Sequence, residues 1–149
     1  MAWLNPNAYN YKGKDLFVEL RLNAPKSEKI FLEFQPLKIS DVPDWNPTWE
    51  EWHCYDKPLR IYAQDYERLV DYFNKIYPAR DAFDGTLKQN LDVCFDNWIG
   101  KSDWLRIIFE IEQDLNFVSD GERAFFMDFL EWLNEALKHT SVIVVEGNL

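Results

Sequence analysis

Residues 91–112, LDVCFDNWIGKSDWLRIIFEIE, form the stretch on which the fold turns. Leu91, Val93 and Phe95 alternate with Asp92, Cys94 and Asp96, and beyond Gly100 the pattern resumes, with Leu105, Ile107, Phe109 and Ile111 set against Arg106, Ile108, Glu110 and Glu112. Period-two alternation marks a strand with one buried face, so the stretch predicts a hairpin turning at residues 97–103. If its apolar residues face a helical layer, then Asp92, Asp96, Glu110 and Glu112 share the outward side and make that sheet face acidic.

Helices flank this predicted hairpin on both sides. Upstream, Tyr66, Leu69, Val70, Phe73, Ile76 and Tyr77 recur at the spacing of one helix face, predicting a helix near 64–77 that stops before Pro78. Downstream, Ser119 and Glu122 have the S-x-x-E form of a capping box, followed by Phe126, Phe129, Leu130, Leu133 and Leu137 at helical spacing, which predicts a helix over 120–139. The β-branched run Val142–Val145 then reads as a closing buried strand ended by Gly147. Nearer the start, Leu16, Val18, Leu20 and Leu22 alternate with polar residues, as do Ile30, Leu32 and Phe34, and the turn-forming NAPKSEK between them predicts a first hairpin. Residues 79–90 read as a connection. The order ββ-loop-α-ββ-α-β predicts an α+β fold, an antiparallel sheet of four to five strands packed by two helices. With 149 residues, 47% of them apolar and 17% aromatic, the chain has material for one core, so residues 1–149 are read as a single domain.

The loop of that order is Asp41–Asp56, DVPDWNPTWEEWHCYD, which carries three tryptophans and a tyrosine among five carboxylates with no Lys or Arg. Pro43, Pro47 and Pro58 exclude a long helix or central strand across it, although Pro47, Glu50 and Glu51 suit a short helical turn at 48–52. Long ordered loops often carry function. Asp44, Trp45, Trp49, Glu50, Glu51, Trp52, Tyr55 and Asp56 are therefore the candidate partner-binding residues, with aromatic anchors among steering carboxylates; Asp92, Asp96, Glu110 and Glu112 form a secondary acidic face. The bland alternative gives the tryptophans a structural role, as a lid holding the loop to the core.

Charge narrows the class of partner. The chain has 16 basic and 26 acidic residues, a net charge of −10, which favours cationic proteins and disfavours nucleic acid or an anionic membrane. The first fifteen residues lack the apolar run of a secretory signal, and no run approaches the roughly 20 residues of a membrane span, so a cytoplasmic location is expected. Cys54 and Cys94 match neither a CxxC spacing nor a disulfide framework. No HExxH, P-loop, GxGxxG or GxSxG occurs, and no metal or cofactor is expected. His53 stands beside Cys54, but neighbours in an extended segment point to opposite sides, which weakens a nucleophilic pair.

In size and charge the chain resembles the small acidic immunity proteins that bacteria make against secreted toxins, the residues that carry the resemblance being DWNPTWEEWHCYD and the closing DFLEWLNEALKHTSVIVVEGNL. The resemblance implies a non-catalytic inhibitor that binds a toxin domain, often a basic nuclease, through acidic and aromatic contacts. Two other classes stand beside it: a small enzyme with a site near His53, and a structural or adaptor subunit that buries the tryptophan segment in a homo-oligomer.

Overall fold

A computed structural model of the chain describes residues 5, 9–11, 16–38, 52–55 and 57–149. Among these residues nine strands and three α-helices follow in the order β1 (Tyr9–Tyr11), β2 (Val18–Leu20), β3 (Phe31–Pro36), β4 (His53–Tyr55), β5 (Leu59–Tyr62), α1 (Ala63–Asn74), β6 (Ala79–Arg80), β7 (Leu87–Lys88), β8 (Asp96–Gly100), α2 (Lys101–Asp114), α3 (Asp120–Leu137) and β9 (Val142–Gly147). The main sheet has the order β2-β5-β3-β9-β8 and is antiparallel except where β2 pairs with β5. This is an α+β fold, and β9 is indeed a strand, buried between β3 and β8.

Alternation within the strands sorts the sheet into two faces. Leu32, Phe34, Leu59, Ile61, Ile99, Ile143 and Val145 point to one side and join a single core with Leu69 and Phe73 of α1, Trp104, Ile107 and Ile111 of α2, and Phe126, Phe129 and Leu133 of α3. Phe34 lies at its centre, edge-on to Phe73, Trp104, Phe129 and Trp132 with ring centroids 5.2–6.4 Å apart. The capping box forms as expected, Ser119 Oγ accepting from the Glu122 amide at 3.2 Å. At the other end of the sheet, the buried Asp65 carboxylate near the start of α1 accepts amides of Leu22, Asn23 and Ala24 at 2.7–3.2 Å, fixing the chain as it leaves β2.

Three expectations need correction. Residues 101–114 form helix α2, so the described residues hold three α-helices where two were expected, and Leu105–Ile111 is not a strand. The physical reason is that Trp104, Ile107, Ile108 and Ile111 make a helical stripe, and these are the buried residues, whereas Leu105 and Phe109 are 49% and 59% exposed. Residues 91–95 precede β8 as an irregular turn. Likewise β2 and β3 are not a hairpin, because β5, the strand after Pro58, lies between them and pairs with both.

Candidate functional site

The face of the sheet away from the helices is polar, and its composition follows from register. Glu19 of β2 stands opposite Arg60 of β5, Arg60 opposite Glu33 of β3, Glu33 opposite Glu146 of β9, and Glu146 opposite Asp96 of β8. Four carboxylates and one guanidinium thus cross all five strands in one row. Arg60 Nε donates to Glu33 Oε2 at 2.5 Å, and Gln35 Nε2 donates to Glu33 Oε1 at 2.7 Å, so the 4%-exposed Glu33 has hydrogen-bond partners. Beside the row a small apolar cluster of Leu37, Trp52, Trp98 and Val144 covers the β9–β8 side.

Trp52 and Tyr55 are the only members of the tryptophan segment's candidate set among the described residues, and both are buried. Trp52 stacks edge-on against Trp98 at 5.2 Å and donates its indole N–H to Gln35, while the Tyr55 hydroxyl donates to the His139 carbonyl at 3.2 Å. Asp44, Trp45, Trp49, Glu50, Glu51 and Asp56, with the helical turn expected at 48–52, lie outside the described residues except for Trp52 itself. His53 and Cys54 are consecutive in β4 and therefore point to opposite sides. The two cysteines are unbridged, Cys54 buried and Cys94 exposed.

The secondary acidic face divides in two. Asp92 and Asp96 come together at the β8 edge, whereas Glu110 and Glu112 sit on α2 in the helical layer, Glu110 3.3 Å from Lys75. The expected four-carboxylate face therefore does not form from those residues; helix α2 carries two of them to the other side of the sheet. Asp96 and Asp92 gain other neighbours instead, from the small hairpin β6–β7 that sequence patterning leaves as a connection.

That hairpin reaches the outer edge of β8. The Ala82 amide donates to the Trp98 carbonyl at 2.9 Å, and Asp81 accepts the Trp98 amide at 3.2 Å and the Phe83 amide at 2.9 Å. Gly85, at φ 75°, allows the reversal, and Asp84 Oδ1 accepts from the Thr86 amide and hydroxyl at 2.9 and 2.7 Å. On the other side, the buried Asn97 side chain donates to carbonyls of Asp92, Phe95 and Val145 at 2.7–3.3 Å and accepts the Asp92 amide at 2.8 Å. Gly147 completes the clamp, since a Cβ there would lie 1.6 Å from the Val93 carbonyl oxygen.

Between hairpin and turn lies a cleft of about 340 Å³ lined by Asp81, Asp84, Asp92 and Asp96, with Lys88 as its one basic group. Phe83 and Phe95 also line it, 40% and 67% exposed. Phe83 rests on Trp98 at 4.8 Å, so its ring is held in place while remaining open to solvent. Burial pushes the Asp81 carboxyl above the ordinary carboxylate range despite its two backbone donors, while the Thr86 donors hold Asp84 below it. Among the described residues no group of three or more His, Cys, Asp or Glu side chains is placed to hold a metal ion. Among the same residues no helix is long and apolar enough to cross a membrane. No protein-family model, curated protein or solved structure matches the chain.

Proposed function

We propose that this chain is a non-catalytic protein-binding protein acting in the cytoplasm, and that it neutralises a basic partner in the manner of the toxin-immunity proteins it resembles. The observation that carries the reading is the cleft at the β8 edge, where four carboxylates and two exposed aromatic rings meet a single lysine. A rim of like charge steers an oppositely charged partner, and exposed rings on a rigid support supply affinity at small entropic cost. The polar lining also argues against a small-molecule pocket, which is usually mostly apolar. Its carboxylates are engaged with nearby backbone and side-chain donors, an arrangement that serves shape and charge better than proton transfer.

The test is to capture the partner with the full chain as bait and then measure inhibition at equal molar amounts. The reading expects a basic protein whose toxic activity is lost on binding and whose association slows as salt rises. An acidic partner, or a partner whose activity is unchanged in the complex, would refute it. A solution mass of twice the chain with no other partner would favour a structural subunit instead.

A further inference from the structure

The outer face already shows how this chain holds arginine. Arg60 lies 3.8 Å from the centroid of Phe17 and 4.3 Å from that of Phe31, with its Nε on the Glu33 carboxylate. Arg21 lies 3.8 Å from the centroid of Tyr62, with Glu19 at 3.6 Å. At both places the guanidinium plane is offered an aromatic ring and its edge a carboxylate, the two surfaces that suit it better than an ammonium.

The β8 edge repeats that pairing of ring and carboxylate without the arginine. Phe83 and Phe95 line the cleft with Asp81, Asp84, Asp92 and Asp96. Every arginine of the chain is among the described residues, and none of their guanidinium groups stands over either ring. Arg80, the arginine of the adjoining strand, turns back to the Gly85 carbonyl at 3.0 Å. Lys88 lies at the cleft, and among the described residues no carboxylate is within ion-pair distance of it. Asp81 adds a burial cost that a nearby cation would relieve.

We infer that the cleft receives an arginine side chain of the partner, its guanidinium among the aspartates and its plane against Phe95, the more exposed of the two rings. This deepens the basic-partner reading and rests on it. The choice of arginine over lysine is the new content: lysine is a compact, strongly hydrated charge, whereas arginine can stack and form a planar fork of hydrogen bonds at once. The ring contact, at a solvent-exposed site, is worth roughly a two- to fivefold difference in affinity.

The experiment uses the full-length isotope-labelled chain and three short capped peptides, an oligo-arginine, an oligo-lysine and an oligo-glutamate, titrated by amide chemical shifts at physiological salt. The expected result is that oligo-arginine binds roughly two- to fivefold tighter than oligo-lysine, with the shifts centred on the amides of Phe83, Asp92 and Phe95. Phe95→Ala should remove that preference, whereas Asp84→Asn with Asp92→Asn should weaken both cationic peptides alike. Both sets replace exposed side chains, and unchanged amide spectra elsewhere verify the fold. If the two cationic peptides bind equally and Phe95→Ala changes nothing, or if the shifts centre elsewhere, the arginine assignment is overturned while the basic-partner reading stands. If neither cationic peptide binds, or oligo-glutamate binds as well, both fall together.

Discussion

The two faces of the main sheet use the same aromatic residue to opposite ends. On the helical side Phe34 is sealed among Phe73, Trp104, Phe129 and Trp132, while beside the outer face Phe95 stands 67% exposed above the carboxylates of the β8 edge. One ring contributes to folding and the other is free to contribute to binding. The difference lies in what surrounds each ring: the neighbours of Phe34 in the core are apolar, whereas the outer face carries a row of four carboxylates and one guanidinium that keeps water close.

Substitution can break this contrast. The largest effect is expected at Phe34→Ala, which should cost about 3–5 kcal/mol in denaturant unfolding, as truncation of a large buried ring does. A loss under roughly 0.5 kcal/mol would place Phe34 at the surface. Gly147→Ala comes next at about 3 kcal/mol, because its Cβ has no room beside the Val93 carbonyl and the 91–95 turn must move. Amide shifts in that turn should report the movement; unchanged shifts with full stability would mean that the turn does not pack there.

Glu33→Gln should cost about 1.5 kcal/mol, the value of a hydrogen bond to a charged group, since it removes the charge facing Arg60 while keeping the size. A neutral or stabilising outcome would show that the row is a solvated surface rather than a bonded network. A smaller, pH-dependent effect comes from Tyr72 and Tyr77, each raised from 10.0 to about 12, chiefly by burial. The folded state holds these protons more tightly than the unfolded chain, so their contribution is complete below about pH 10 and is lost as pH climbs toward 12. A tyrosinate absorbance titration with its midpoint at the free value of 10.0 would disprove the shift. The smallest stability effect belongs to Phe95→Ala, expected within about 0.5 kcal/mol. A large loss there would mean that the exposed ring is structural, and the contrast between the faces would collapse.

What patterning could read depended on whether a signal was local. The capping box at Ser119 and Glu122 and the stripe Phe126 to Leu137 sit within one helix, so α3 was legible to within two residues of its end. The closing strand was legible from its β-branched run. Helix α2 was not, because Leu105, Ile107, Phe109 and Ile111 satisfy the strand period while Trp104, Ile107, Ile108 and Ile111 satisfy the helical one, and only burial decides between them. The insertion of β5 between β2 and β3 leaves no local mark, since its partners lie well upstream in sequence, Val18 facing Leu59 and Phe31 facing Tyr62. Patterning points to an acidic outer face, but of the acidic residues found there it names Asp92 and Asp96 alone: Glu33 and Glu146 become neighbours only through register, and Asp81 and Asp84 belong to a hairpin with almost no periodicity. Arg60 could have been suspected from Leu59-Arg60-Ile61, an apolar-basic-apolar triplet just after Pro58.

The position of β9 has a consequence for biogenesis. Its partners in β3 lie more than a hundred residues earlier, Leu32 facing Gly147 and Pro36 facing Ile143, and it is also the strand that joins β8 to the sheet. Until a ribosome has released residues 142–147, β3 and β8 each have an edge with nothing to pair with, beside apolar side chains that belong inside. The nascent chain can form helical segments early, but its sheet closes only after synthesis has passed that strand, and such non-local pairing is slow. Through that interval the unfinished chain would be a substrate for chaperones that shield unpaired strands.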